Sequence, residues 1–346
     1  MTFRYIGSKA RVVDAIFSRI DRPKKQVRFV DLFCGTGVVA EAAARHGFSV
    51  HLNDHLSSAV IMASARMIGA SAVPFSELGG YESAIAKLNV AKPRKGFIFR
   101  EYSPASVSRI GFERRYFTEK NAALIDGARA LIASWVAKGV VSLAEERLLI
   151  ADLLSASNRA ANIAGTYGCF LSTWQKQALG PMTLRVRELP KSSGTVTTTT
   201  LDASAVPVRA DDVVYLDPPY TKRQYAAYYH LLETIALGDE PKVEGVSGLR
   251  PWREKASDFC YRTRAMGAFT SLIRDLPARR VLISYSDDAH VPIDALIDAM
   301  RPFGKVTPTA LIDIGRYRPN RVAGGGQASV TEYLIELERT QQQVMA

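Results

Sequence analysis

The tetrapeptide Asp217-Pro218-Pro219-Tyr220 directly follows the apolar run Val213-Val214-Tyr215-Leu216. Such a run reads as a buried parallel strand, which puts the tetrapeptide at a carboxyl edge of a sheet, where open α/β sheets hold ligands. Its parts suit one difficult reaction. The amino group of an adenine is a poor nucleophile because its lone pair is delocalised into the ring. A carboxylate from Asp217 and the carbonyl of Pro218 can each accept one amino hydrogen. That draws the nitrogen toward tetrahedral geometry and frees the lone pair for in-line attack on a methyl donor. Pro218 and Pro219 stiffen the turn and remove backbone donors that would compete for those acceptors. Tyr220 offers an aromatic face to a base flipped out of its stack.

A second constellation is Asp31-Leu32-Phe33-Cys34-Gly35-Thr36-Gly37, with Asp54 twenty-three residues after Asp31. Glycines at a strand-to-helix turn let the backbone approach a ligand closely, and an acid ending the next strand can accept hydrogen bonds from ribose hydroxyls. Gly35-Thr36-Gly37-Val38-Val39-Ala40 also fits the dinucleotide fingerprint GxGxxA, so the turn by itself is ambiguous between NAD(P) and S-adenosylmethionine. Asp31 tips the balance. A carboxylate just before the turn repels a pyrophosphate but can hold the ammonium group of a methionine. A dehydrogenase reading also leaves Asp217–Tyr220 without a purpose. Cys34 reads as a small buried hydrophobe rather than a reactive thiol.

The elements that must position these residues are legible as an α/β pattern. Val27–Leu32 and Phe48–Leu52 read as strands around an Ala-rich helix, Val38–His46, with Gly47 as its C-cap glycine. Thr197–Leu201, Val213–Leu216 and Arg280–Tyr285 read as further strands, and Lys305–Asp313 with Ser329–Glu338 as an antiparallel pair. Between the two constellations lies a mostly helical insertion, residues 71–195, flanked by a catalytic domain made of 1–70 and 196–346. Its clearest helices are 119–138 and 143–162. From Lys92 to Lys120 it carries eight Lys/Arg against three Asp/Glu, interleaved with Phe97, Phe99, Tyr102 and Tyr116. This stretch, Lys222-Arg223, and a late loop with Arg316, Arg318 and Arg321 are candidates for a phosphate track. The whole chain agrees in sign: 45 Lys+Arg against 34 Asp+Glu give +11, which suits a nucleic acid. Three scattered cysteines and five histidines without ligand spacing predict neither a disulfide framework nor a metal site. The N-terminal residues lack a secretory h-region and no window is apolar enough to span a bilayer, so a cytoplasmic protein with no membrane partner is expected.

With these motifs in this order, the chain resembles the adenine-specific DNA methyltransferases related to the Dam enzymes, over most of its length. Arg4-Tyr5-Ile6-Gly7-Ser8-Lys9 resembles the family's N-terminal motif, although Dam relatives carry a tryptophan-containing version of Tyr5-Ile6. The resemblance implies that Tyr5 and Lys9 border the cofactor. It further implies that Asp31, Phe33, Cys34, Gly35, Thr36 and Gly37 form the cofactor loop, that Asp54 binds ribose, and that Asp202 contacts the cofactor's adenine. Asp217, Pro218, Pro219 and Tyr220 become the catalytic loop, with Asp217 also beside the cofactor. Tyr116–Asn121, Ala164–Gly168 and Arg223–His230 are similar to family segments as well. The fold implied is a Rossmann-like, seven-stranded methyltransferase sheet with helices on both faces, the insertion serving target recognition. The expected substrates are S-adenosylmethionine, leaving as S-adenosylhomocysteine, and double-stranded DNA bound by Lys222, Arg223, Arg316, Arg318 and Arg321. A restriction endonuclease partner would be a separate chain, and the enzyme itself a monomer or weak dimer. The alternative is an amino-group methyltransferase acting on rRNA, since similar catalytic loops occur there.

Overall fold

The computed structural model describes residues 4–7, 9–23, 27–191, 194–315 and 329–340. They divide into two compact units: residues 8–55, 195–225 and 255–346 form one, and residues 1–7, 56–194 and 226–254 the other. The sequence pattern puts an insertion at 71–195; the second unit also contains 56–70 and 226–254. Helices supply both added pieces, Ser57–Ala65 and His230–Leu237. The amides of Ser57 and Ser58 donate to the Glu233 carboxylate at 3.1 and 2.8 Å, which ties one to the other.

The first unit is built on β1 (Arg28–Asp31), β2 (Ser49–Asn53), β3 (Val196–Thr199), β4 (Val213–Leu216), β5 (Arg280–Ser286), β6 (Lys305–Gly315) and β7 (Ser329–Glu338). They form one sheet in the order β3-β2-β1-β4-β5-β7-β6. The first five run parallel, and β7 enters antiparallel between β5 and β6, as the terminal hairpin pattern requires. The expected strand Thr197–Leu201 stops short of Leu201. That residue's N–H and C=O are taken by the Asn53 side chain, at 3.0 and 3.1 Å, and cannot join a ladder.

Side chains alternate across the pleat and bury both faces. On one face Val30, Val214, Leu216, Val281, Ile283, Ile335 and Leu337 pack under the helices Ala265–Asp275 and Ile293–Met300. On the other, Phe29 stacks on Tyr215 and meets Phe17 of the helix Val13–Phe17. The helix Val38–Arg45 covers the same strands. Arg28 grips the buried Asp212 with two guanidinium bonds and pins the amino ends of β1 and β4 together. Strand order reverses between β1 and β4, so their carboxyl ends flank a crevice.

The second unit is helical. Thr118 caps the helix Glu119–Ala137, and a reciprocal capping box of Ser142 and Glu145 starts Leu143–Ala160. Most aromatics of the basic stretch 92–120 are core here, although Phe97 is half-buried and Phe112 exposed: Tyr102 and Tyr116 are fully buried and meet edge to face. Arg114 is also removed from the expected phosphate track. It is buried, paired with Glu101, and its guanidinium donates to the carbonyls of Gly245 and Val246. Arg100, Arg109 and Arg115 are paired with Glu240, Glu101 and Glu113, whereas Lys92, Arg94, Lys95 and Lys120 are exposed. No helix among the described residues is long and apolar enough to cross a membrane.

Candidate active site

The carboxyl ends of β1, β2 and β4 deliver Asp31, Asp54 and Asp217 to one region of the first unit. Asp31 is the last residue of β1, shares its face with Phe29, and is only 2% exposed. The chain then turns sharply through Gly35 (φ 49°) and Gly37 (φ 77°), left-handed conformations that a β-carbon resists. Gly37 is the N-cap of the following helix. The turn is locked from β2: Cys34 N–H donates to Asn53 O at 2.9 Å and Gly35 N–H to Asp54 Oδ2 at 3.0 Å. Asn53, itself buried, donates to Leu32 O and Leu201 O and accepts from Thr199 Oγ1 and Leu201 N, binding three strand ends together.

Lys9 stands at the centre of the second half of the site. Its ammonium group is 5% exposed and contacts Asp217 Oδ1 at 3.2 Å, Glu332 Oε2 at 3.0 Å and the Tyr220 hydroxyl at 3.2 Å. Glu332 and Tyr220 accept hydrogen bonds from it, and Asp217 faces it as an ion pair. Tyr220 in turn donates to Glu332 Oε1 at 3.4 Å, and its ring meets Tyr285 edge-on. Among the described residues Asp217 is bonded through Oδ1 alone, leaving Oδ2 for another donor. Burial, with Glu332 nearby, raises its pKa to about 6 against the opposing pull of Lys9. Burial raises Asp31 well above the usual carboxylate range, reinforced by Asp217 and Asp54. The Cys34 thiol is pushed up by burial and by Asp54 and Asp31, so it stays protonated and inert.

The catalytic loop is splinted from outside. Tyr220 O accepts from His290 N at 3.0 Å, and Arg223 O from the Cys260 thiol at 3.3 Å. The Gln224 amide exchanges two hydrogen bonds with the Ser257 backbone. Phe33 meets Phe259 edge-on, so the segment 257–260 braces both loops.

Asp31, Phe33, Cys34, Gly35, Thr36, Gly37, Asp54, Asp217, Pro218, Pro219, Tyr220 and Lys9 therefore lie within one unit. Asp202 belongs to it too, but caps a 3-10 turn through Ser204 and faces His55 at 4.0 Å; burial opposes its ionisation, yet the Ser204 bonds hold its pKa below normal. Lys222 and Arg223 are exposed on the catalytic loop. Tyr5 falls in the other unit, stacked on Tyr229 with centroids 4.3 Å apart. Arg316, Arg318 and Arg321 lie outside the described residues. Among the described residues no group of His, Cys, Asp or Glu is placed to hold a metal ion.

Glu332, Asn53, Gln224 and Cys260 carry no signal as single residues in the sequence. Glu332 sits in an alternating strand whose other acids, Glu336 and Glu338, read as a solvated face. Only the register Ser286↔Glu332 brings it to the carboxyl edge of β5.

The donor set fits S-adenosylmethionine and not a pyrophosphate. Asp217 and Glu332 share one ammonium, and Asp31 interacts with Asp217 and Asp54 with no cation of its own there, so carboxyl groups outnumber cations and the region favours a cationic ligand. Comparison with known proteins agrees. The family described as D12 class N6 adenine-specific DNA methyltransferase matches residues 5–288. The type II methyltransferase M.FokI of Planomicrobium okeanokoites is 35% identical over 82% of this chain and 44% of its own length. Modification methylase LlaI of Lactococcus lactis subsp. lactis is 33% identical over 91% of this chain and 51% of its own. The type II methyltransferase M.NlaIII of Neisseria lactamica is 30% identical over 97% and 99%. The chain thus spans about half the length of the first two relatives and nearly all of the third. It belongs to the D12 class of N6 adenine-specific DNA methyltransferases.

Proposed function

We propose that the chain transfers a methyl group from S-adenosylmethionine to the exocyclic amino group of an adenine flipped out of duplex DNA. The observation that carries this reading is Asp217: a half-buried carboxylate at the switch point of the sheet, paired at Oδ1 with Lys9 and with no hydrogen bond to Oδ2 among the described residues. Asp217 Oδ2 and Pro218 O accept the two amino hydrogens, and Tyr220 supplies the wall against which the base rests. The cofactor, when bound over the Asp31–Gly37 turn, supplies a sulfonium methyl: the S–CH3 bond breaks, the N6–CH3 bond forms, and the electron pair stays on sulfur. The surplus proton on N6 then leaves to Asp217 or to water. Asp31 holds the methionine ammonium, and Asp54 the ribose. Lys222 and Arg223 hold backbone phosphates next to the loop, and the helical unit finds the target site. The enzyme works in the cytoplasm as a monomer or weak dimer, opposite a separate restriction endonuclease.

The test is transfer of tritiated methyl from S-adenosylmethionine to unmethylated duplex DNA, with nucleoside analysis of the product. Label in N6-methyladenine is expected. Asp217→Asn should lower turnover by about a thousandfold, with binding of S-adenosylhomocysteine retained. Label in RNA but not DNA would overturn the substrate, and full activity of the variant would overturn the catalytic assignment.

A further inference from the structure

Lys9 is the one cation in contact with Asp217 among the described residues, and it does not act alone. Its ammonium is shared with Glu332 on β7 and with the Tyr220 hydroxyl, and Tyr220 closes the ring by donating to Glu332. We propose that Glu332 is a positioning residue for methyl transfer: it anchors Lys9 and Tyr220 so that Lys9 occupies only Oδ1 of Asp217, leaving Oδ2 aimed at the adenine amino group. This rests on the proposed function and adds to it a residue in neither sequence motif.

The geometry dictates the division of labour. Without Glu332, one hydrogen of a nearly buried ammonium loses its acceptor. The acceptors left beside it are the remaining oxygen of Asp217 and the unpartnered Tyr215 hydroxyl. A lysine straddling both oxygens would block the position the substrate needs. Glu332 also spans Lys9 and the Tyr220 hydroxyl with its two oxygens, so the tyrosine ring is set by the same carboxylate. All three partners sit on different segments: Lys9 before the first helix, Tyr220 after β4, and Glu332 on β7.

The charge balance gives Glu332 a second effect. The groups facing Asp217 are Lys9, which stabilises its anion, and Glu332, which opposes it; Asp31 of β1 faces it as well. Tyr220 and Tyr215 face it as neutral phenols, their ionisation suppressed by burial. Burial does most to hold Asp217 basic against the pull of Lys9, and the charge of Glu332 adds to it in the same direction.

Two variants separate these effects. Glu332→Gln keeps an acceptor for Lys9 and removes the charge, so the acidic limb of kcat/KM should move down by about one pH unit, with a smaller loss of kcat on the plateau than in the alanine variant. Glu332→Ala removes both, and kcat should fall between about tenfold and a hundredfold, with affinity for S-adenosylhomocysteine unchanged. An alanine variant with wild-type kcat, or a glutamine variant with an unmoved pH limb, would overturn the inference. So would equal losses in both variants with lowered melting midpoints, which would make Glu332 part of the fold only. The ionisation of Asp217, followed by carbon-13 NMR with Asp217→Asn as the blank, reads the same downward shift without turnover. A wild-type enzyme that methylates no DNA would sink the proposed function, while the NMR comparison still decides the role of Glu332.

Discussion

Asp31 and Asp217 are held where ionisation is disfavoured, and the cost has a function. Burial raises both pKa values, with the mutual repulsion of the two carboxyls adding to it at Asp31. A carboxyl that binds its proton more tightly in the folded chain destabilises the fold as it ionises. Each of these two therefore contributes a loss of stability as pH rises from the unfolded value of about 4 through the folded value, about 6 for Asp217. On the proposed mechanism activity runs the opposite way, because Asp217 would accept the amino hydrogens only as an anion. The pH–rate profile of kcat/KM should rise with pH through an apparent pKa near 6; a profile flat from pH 5 to 8 would show that Asp217 does not titrate there. Asp31→Asn should separate stability from binding. At pH 7.5 it should raise the stability by on the order of 1 kcal/mol, measured by urea unfolding. It should also weaken S-adenosylmethionine binding by at least about tenfold, measured by calorimetry.

Among elements, the carboxyl ends of β1, β2 and β3 act as one object because Asn53 satisfies four groups on their neighbours. Asn53→Ala leaves the buried carbonyl of Leu32 unpaired, a cost of about 1–3 kcal/mol, while the exposed Leu201 can turn to water. Urea unfolding should show that loss together with weaker cofactor binding, since the Cys34–Gly35 turn hangs from the same strand end. A variant with wild-type stability would mean water replaces the amide without penalty. The strands β1, β2, β4 and β5 were legible because a parallel strand buried on both faces is an unbroken apolar run, as in Val213–Leu216. The glycine turn and Asp217–Tyr220 were legible because chemistry and geometry coincide in one short stretch. The end of β3 was not, because Leu201 looks like strand and is diverted by a side chain 148 residues away. Glu332 was invisible for a similar reason, as its meaning depends on the pairing of β7 with β5. The basic stretch 92–120 misled in part: charge and aromatic content do not distinguish an exposed track from Arg114 and Tyr116 folded inward.

At the scale of the molecule the net charge of +11 overstates the cations free to meet DNA, because arginines such as Arg28, Arg114 and Arg280 are spent on internal carboxylates. Affinity should therefore rest on fewer phosphate contacts than the charge suggests. Replacing both Lys222 and Arg223 with alanine should reduce the slope of log affinity against log salt by about 2, equally for specific and random duplexes. An unchanged slope in a filter-binding titration would remove these residues from the phosphate contacts.

The pair Lys9–Glu332 joins residues 323 positions apart. During synthesis Lys9 and the β1 turn emerge well before the carboxylate that completes the lysine's contacts, which arrives only with β7. A ribosome-bound chain carrying β1 to β5 would expose the unpaired edge of β5 and hold an incomplete catalytic centre. Full methylating competence would therefore come only when the β6–β7 hairpin docks.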